Sequence, residues 1–244
     1  MMRTSLLTLL GFCCLAADVS ASLVTLDSTL ISARVREGTG ATSLNFHTGA
    51  DVTVSTSLVA EVGDNRAETS LNWAGTGTGQ TFGFGFDHQR DMARNSFAKT
   101  DAFDLTFSVA AASTFALSGE YSADVTDGTV LFAANLYDVT QATYLFSNIQ
   151  ESRGSALTPE TFVLGGTAGN WSSVMVTGSL NGVLQAGHQY RLFVDALIQG
   201  IPTPAAPGSA SGFLNLEIVA VPEPGTLLLL PLCLVLLAGK RSNA

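Results

Sequence analysis

The chain has 244 residues, 46% of them hydrophobic and only 13% charged, with 24 glycines and a formal net charge of −9. That length supports a real core in one or two domains without metal or disulfide staples, and so few charges exclude a solvated disordered chain. With 11 Lys and Arg against 20 Asp and Glu, and no basic stripe, nucleic acid is excluded as a partner.

Residues 1–21 read as a secretory signal peptide. Arg3 supplies a positive start, Leu6 to Leu15 form an apolar run, and Val19-Ser20-Ala21 is a small-residue exit with cleavage expected after Ala21. The run is shorter than the roughly 20 apolar residues that span a bilayer. Cys13 and Cys14 raise lipidation, which Phe12 argues against, because a lipidated cysteine needs a small residue before it.

Residues 22–220 read as one β-sandwich ectodomain. The three cysteines, Cys13, Cys14 and Cys233, lie outside it. It must therefore hold together by packing alone, and thiol catalysis and cysteine-based zinc sites are excluded there. From Ser22 to Val221 there are 18 acidic and 8 basic side chains, a formal charge of −10, and Lys99 is the single lysine. Such a surface repels polyanions and suits solubility or a calcium-containing matrix.

Period-two alternation dominates the region, which predicts half-buried strands. In chain order the inward sets are Val52, Val54, Leu58, Ala60 and Val62; Phe82, Phe84 and Phe86; Phe103, Leu105, Phe107 and Val109; Val130, Phe132, Ala134 and Leu136; Tyr190 to Ile198 at every second residue; and Leu214, Leu216 and Ile218. Turn chemistry separates them at Glu37 to Gly40, Gly75 to Gly79, Asp127-Gly128, Gly165-Gly166 and Asn181-Gly182. Roughly 10 to 12 strands with regular turns predict an all-β antiparallel sandwich, jelly-roll-like. A short helix over Gln89 to Ala98 is the one non-β expectation. Gly200 to Gly212 (GIPTPAAPGSASG) reads as a long loop between two paired strands rather than a linker, since Leu214 to Ile218 needs a partner.

Few residues carry chemistry. His47, His88 and His188 are far apart and fit no metal-ligand spacing. Asp87-His88 with Asp91 is expected on a loop after the Phe82 to Phe86 strand, as a solvated turn. No nucleophile elbow, Walker loop or dinucleotide fingerprint occurs. Glu61, Asp64, Glu68, Asp87 and Asp104 are the acids available for a hydrolytic pair, and read as surface or turn acids. Asp124 and Asp127 at one turn, with Asp138 after a strand, make Ca2+ the one cofactor suggested, without an EF-hand pattern. Trp73 and Trp171 are candidates for stacking on sugars, against the ordinary reading of tryptophan as a core anchor. Asn170-Trp171-Ser172 forms a glycosylation sequon that reads as accidental.

The last segment, 221–244, is a second address. Val221-Pro222-Glu223-Pro224-Gly225 precedes an apolar run, Thr226 to Ala238, with a transmembrane helix expected over about 226–239, interrupted by Pro231 and closed by Lys240 and Arg241. The basic pair is expected to stay on the cytoplasmic side as a membrane stop signal. Pro222, Glu223 and Pro224 followed by the leucine run and Lys240-Arg241 resemble the PEP-CTERM sorting signal, over about 24 of 244 residues. The resemblance implies a bacterial protein held transiently in the inner membrane. An exosortase-type sorting peptidase then recognises the Pro-Glu-Pro motif and passes the protein to the cell surface or extracellular matrix. The chain is thus expected to be an exported, non-enzymatic envelope or matrix protein, with extracellular polysaccharide as a partner. A carbohydrate-binding module using Trp73 or Trp171 is the alternative, and a secreted hydrolase the third reading.

Overall fold

In the computed structural model the described residues are 22–49, 56–76, 78–91, 96–154, 157–165, 172–200 and 206–222. The signal peptide, Val52 and Val54, Trp171, Glu223, Pro224, the apolar run and Lys240-Arg241 lie outside them. Among the described residues no helix is long and apolar enough to cross a membrane.

Among the described residues fourteen strands form: β1 (Val24–Arg36), β2 (Thr42–Thr48), β3 (Thr56–Val62), β4 (Asn65–Thr76), β5 (Gly79–Arg90), β6 (Phe97–Val109), β7 (Ser113–Asp124), β8 (Gly128–Asp138), β9 (Thr143–Gly154), β10 (Glu160–Val163), β11 (Ser172–Gly178), β12 (Asn181–Leu184), β13 (Gln189–Gln199) and β14 (Gly208–Ala220). They build an antiparallel sandwich. One sheet has the order β11-β9-β8-β13-β6-β1-β2, the other β10-β7-β14-β5-β4-β3 with β12 also on β7.

Alternation is the cause of the two layers. Phe82, Phe84 and Phe86 of β5 point inward, while Gly83 and Gly85 lie on the outer surface. Phe103, Leu105 and Phe107 of β6 are buried and Asp104, Thr106 and Ser108 turn outward, as the pattern predicts. A slip of one residue would expose every one of these rings, each worth about 1.5–3 kcal/mol of burial. Aromatic contacts then tie one sheet to the other. Phe84 meets Phe103 edge-on at 4.5 Å, Tyr121 stacks on Phe132 at 5.1 Å, and Phe82 lies 5.9 Å from Phe107.

Several local expectations are corrected. Asp87 and His88 are not on a loop, because β5 continues to Arg90. The turn before β12 lies at 179–180 rather than at Asn181-Gly182, which begin β12 by pairing with Phe115 and Ala116. Gln89 and Arg90 close β5 and Phe97 and Ala98 open β6, so both ends of the expected helix are strand, and residues 92–95 lie outside the described residues. The reversal expected at Gly75 to Gly79 falls there but is shorter, since Gly75 and Thr76 belong to β4 and Gly79 to β5, Thr76 pairing with Gly79. Gly208 to Gly212 is the start of β14, and β13 and β14 belong to opposite sheets, so the two strands are not paired with each other and β14 pairs with β5 and β7 instead.

The two ends of the sandwich differ. At one, Leu23 accepts from the Ala110 amide and the Val221 amide donates to Ala112, so both ends of the described domain meet at the β6–β7 turn. This tail end places exposed Pro222 directly after the last strand hydrogen bond. The opposite, acidic end carries Asp64, Asp91 and Asp124 around an open cleft of about 720 Å3, with Arg90 in its wall.

Candidate functional site

Trp73 lies on β4 opposite Phe82, its ring 5.0 Å from that ring and packed against the core, so it faces inward with one edge exposed. That is the position of a core anchor. Trp171 lies outside the described residues.

The histidines do not converge. His47 is half-buried on the edge strand β2. His88 is fully buried on the inward face of β5, and burial pushes its pKa from 6.5 down to about 3. His188 sits before β13 with Nδ1 2.9 Å from the carboxylate of buried Asp138. The Asp138 carboxylate also accepts the Gln141 amide at 2.9 Å, so it organises the β8–β9 turn.

The acids are likewise engaged or separated. Asp127 takes the Arg90 guanidinium at 3.0 Å and the Ala206 amide at 2.9 Å. Arg90 is fully buried and also donates to the carbonyls of Asp127 and Ala206, so this pair pins two connections at the acidic end. Asp138 is at the other end of β8, far from Asp124 and Asp127. Among the described residues no three His, Cys, Asp or Glu come together as a metal site. Glu61 and Glu68 both pair with Arg66. Glu68 stands opposite Asp87 on the outer face, where Asp87 and Asp124 border a shallow polar groove of about 240 Å3.

The arrangement with most binding chemistry is on the outer face of the other sheet, and no single sequence motif announces it. Asn135, Tyr137, Tyr144, Arg191 and Phe193 line an open cleft of about 470 Å3, within the size range of small-ligand sites. Registers place Tyr144 of β9 beside Tyr137 of β8, and Tyr137 beside Arg191 of β13. In the next row Ser147, Asn135, Phe193 and Asp104 follow one another across β9, β8, β13 and β6.

Tyr144 reaches this surface through a β-bulge. The inward residues of β9 are Phe146, Asn148, Gln150 and Ser152. Strict alternation would send Tyr144 inward with them. The pairing instead shifts between Leu136↔Phe146 and Tyr137↔Tyr144, so Leu145 is one residue too many for β8. Leu145 packs toward the core and Tyr144 turns out, half exposed. The bulge is held from the next strand. The Leu145 carbonyl accepts the Ser179 amide at 3.1 Å, and Gly178 at φ 83° lets the chain pass so close. A Cβ on Gly178 would lie 2.0 Å from that carbonyl oxygen.

The rings of Tyr137 and Tyr144 meet edge to face at 4.9 Å. Arg191 donates from Nε at 2.6 Å and Nη2 at 2.5 Å to the two oxygens of Asp104, and its guanidinium lies 5.8 Å from the Phe193 ring centre. The Asp104 hydrogen bonds hold the guanidinium pKa above its usual value. Asn135 Oδ1 accepts from Ser147. The outcome is a rigid patch of apolar ring surface rimmed by hydroxyl, amide and guanidinium groups. Sugars need that combination, because a hexose has a C–H face and a rim of hydroxyls.

No family model matches the chain, and no curated protein sequence does. Among solved structures, the infectious bursal disease virus Gx strain is similar at 14% identity over 86% of this chain and 55% of that one, with a TM-score of 0.27. The chain thus spans about half the length of that protein. The VP2 subviral particle of that virus gives 14% identity, 86% and 61% coverage and 0.28. A family 11 carbohydrate-binding module from Clostridium thermocellum, in complex with a mixed-linked tetrasaccharide, gives 9% identity, 78% and 97% coverage and 0.21.

Proposed function

We propose that this chain is an exported, non-enzymatic protein whose β-sandwich binds polysaccharide through the Tyr137–Tyr144–Arg191 face, and that its C-terminal segment is a sorting signal. The observation that carries the binding half is the bulge at Leu145, which sets Tyr144 half exposed beside Tyr137 in a polar-rimmed cleft. Tyr–Tyr packing leaves the rings little conformational freedom to lose on binding. The non-enzymatic half is supported by three of the five acids that could have formed a hydrolytic pair: Glu61, Glu68 and Asp104 are each held by an arginine.

The sorting half rests on Pro222-Glu223-Pro224, the apolar run and Lys240-Arg241. It is supported by the end of β14, which leaves Pro222 exposed right after Val221. The pathway is export, transient retention in the inner membrane, recognition by an exosortase-type peptidase, and release to the cell surface or matrix.

Two experiments test the two halves. On immobilised glycans, Tyr144→Ala lowers binding roughly tenfold, which matches what a single stacked ring contributes, while Tyr144→Phe keeps most of it. Unchanged binding in Tyr144→Ala removes this face from consideration. In the native host, intact mass shows a product lacking both terminal segments, and replacing Pro222, Glu223 and Pro224 with alanine traps the unprocessed chain. Continued release of that variant rules the motif out as the recognition element.

A further inference from the structure

Resting on the reading of the Tyr137–Tyr144 face as a sugar site, we infer that the site selects neutral polysaccharide and excludes polyuronates and other anionic polymers, and that Asp104 is the residue that sets this selectivity. Arg191 is the cation of the cleft. Left alone, a half-exposed guanidinium beside aromatic rings would make the face a receptor for carboxylates, since its planar fork matches them two bonds at a time. Here two of its three nitrogens are already committed, Nε and Nη2, one to each oxygen of Asp104. A bidentate pair of this kind satisfies the fork and cancels its charge at short range. A uronate ring would have to displace Asp104 or bind against its negative field.

The surroundings reinforce this. Within Ser22 to Val221 acids outnumber bases 18 to 8, so the field over the domain repels a polyanion before contact. Asp104 is supplied by β6, in the row of Phe193, whereas Arg191 comes from β13 in the row of Tyr137. The pair therefore runs diagonally across the platform and keeps the guanidinium over the Phe193 ring, 5.8 Å from its centre. From Tyr144 on β9 to Arg191 on β13 the platform crosses two strand spacings, about 10 Å, room for about two sugar rings. What remains toward solvent is ring surface, the Arg191–Asp104 edge and the Asn135 amide, a set that recognises hydroxyls and C–H faces without net charge.

The test is native affinity electrophoresis of the full chain through gels holding hydroxyethylcellulose, a neutral polymer, or polygalacturonate. The wild type is retarded by the neutral polymer, insensitively to added salt, and not by polygalacturonate. Tyr144→Ala loses the neutral retardation. Asp104→Asn frees the guanidinium and gains salt-sensitive retardation by polygalacturonate, with affinity up roughly tenfold. Wild-type retardation by polygalacturonate equal to or above that by the neutral polymer overturns the selectivity while leaving the sugar site standing. Retardation by neither polymer in any variant overturns both. A matched circular dichroism melt for Asp104→Asn guards against reading a fold defect as a loss. If that variant melts normally and gains no polygalacturonate binding, Asp104 is not the selector.

Discussion

The two ends of this sandwich are fastened by different means. At the acidic end one buried guanidinium, Arg90, holds the Asp127 carboxylate and the Ala206 carbonyl, so a single side-chain pair secures the β7–β8 turn and the approach to β14. At the tail end the chain is tied by main-chain bonds: Ala110 to Leu23, Val221 to Ala112, Ala220 to Thr78 and Gly187 to Val109. The side chain there that comes nearest to Arg90 is buried Asp138, which holds His188 and the Gln141 amide at the β8–β9 turn. The first end thus rests on one buried ion pair, whereas the second shares the work between Asp138 and several main-chain bonds. The tyrosine platform lies toward the second end, where Tyr137 and Tyr144 flank the β8–β9 turn.

The largest expected effect breaks the acidic end. Asp127→Ala leaves Arg90 buried with its ion partner gone, which costs about 3–5 kcal/mol, read by urea unfolding. The tail-end counterpart is Asp27→Asn, where the exposed carboxylate accepts from Ser108 and Gln189; it changes stability by about 0.5 kcal/mol or less. Equal losses in the two variants would erase the distinction.

Acid should find the same end. His88, opposite Ala67 and Ala210 near the acidic end, is neutral in the folded chain because burial lowers its pKa to about 3. Below its ordinary 6.5 the unfolded chain takes up a proton that the folded chain refuses, so stability falls with falling pH from 6.5 toward about 3. Above 6.5 this contribution is constant. The slope is about 1.4 kcal/mol per pH unit, and His88→Leu flattens it. A wild-type unfolding free energy independent of pH across that window would show that His88 is not held neutral.

Two smaller effects separate framework from site. Trp73→Ala removes an inward, partly buried ring packed on Phe82 and costs about 3 kcal/mol, yet leaves glycan binding intact, the reverse of Tyr144→Ala. Gly178→Ala costs about 1–2 kcal/mol through its left-handed backbone and the Leu145 carbonyl in its way. By displacing the bulge it also weakens glycan binding. Binding unchanged in Gly178→Ala would mean that the bulge does not position Tyr144.

Alternation alone determined the layering of this protein. With a period of two and one face dry, Phe82 to Phe86, Phe103 to Phe107, Val130 to Leu136 and Tyr190 to Ile198 had a single way to lie, and each lies so. Composition also determined the cysteine-free, acidic character of the domain, because those properties are sums over residues. What only the tertiary structure decided is everything that depends on a partner strand. Asp87-His88 looked like a polar loop, but β4 and β14 pair with it on both sides and draw it into β5. Asn181-Gly182 looked like a hairpin turn, but the edge of β7 was open to extend it as β12. Trp73 was the visible aromatic candidate, and its register opposite Phe82 turned it to the core. Tyr144 had the wrong parity for the surface until one extra residue, Leu145, was accommodated against β8 and locked by Ser179. A bulge is a disagreement between two strands, so it has no signature in either one read alone.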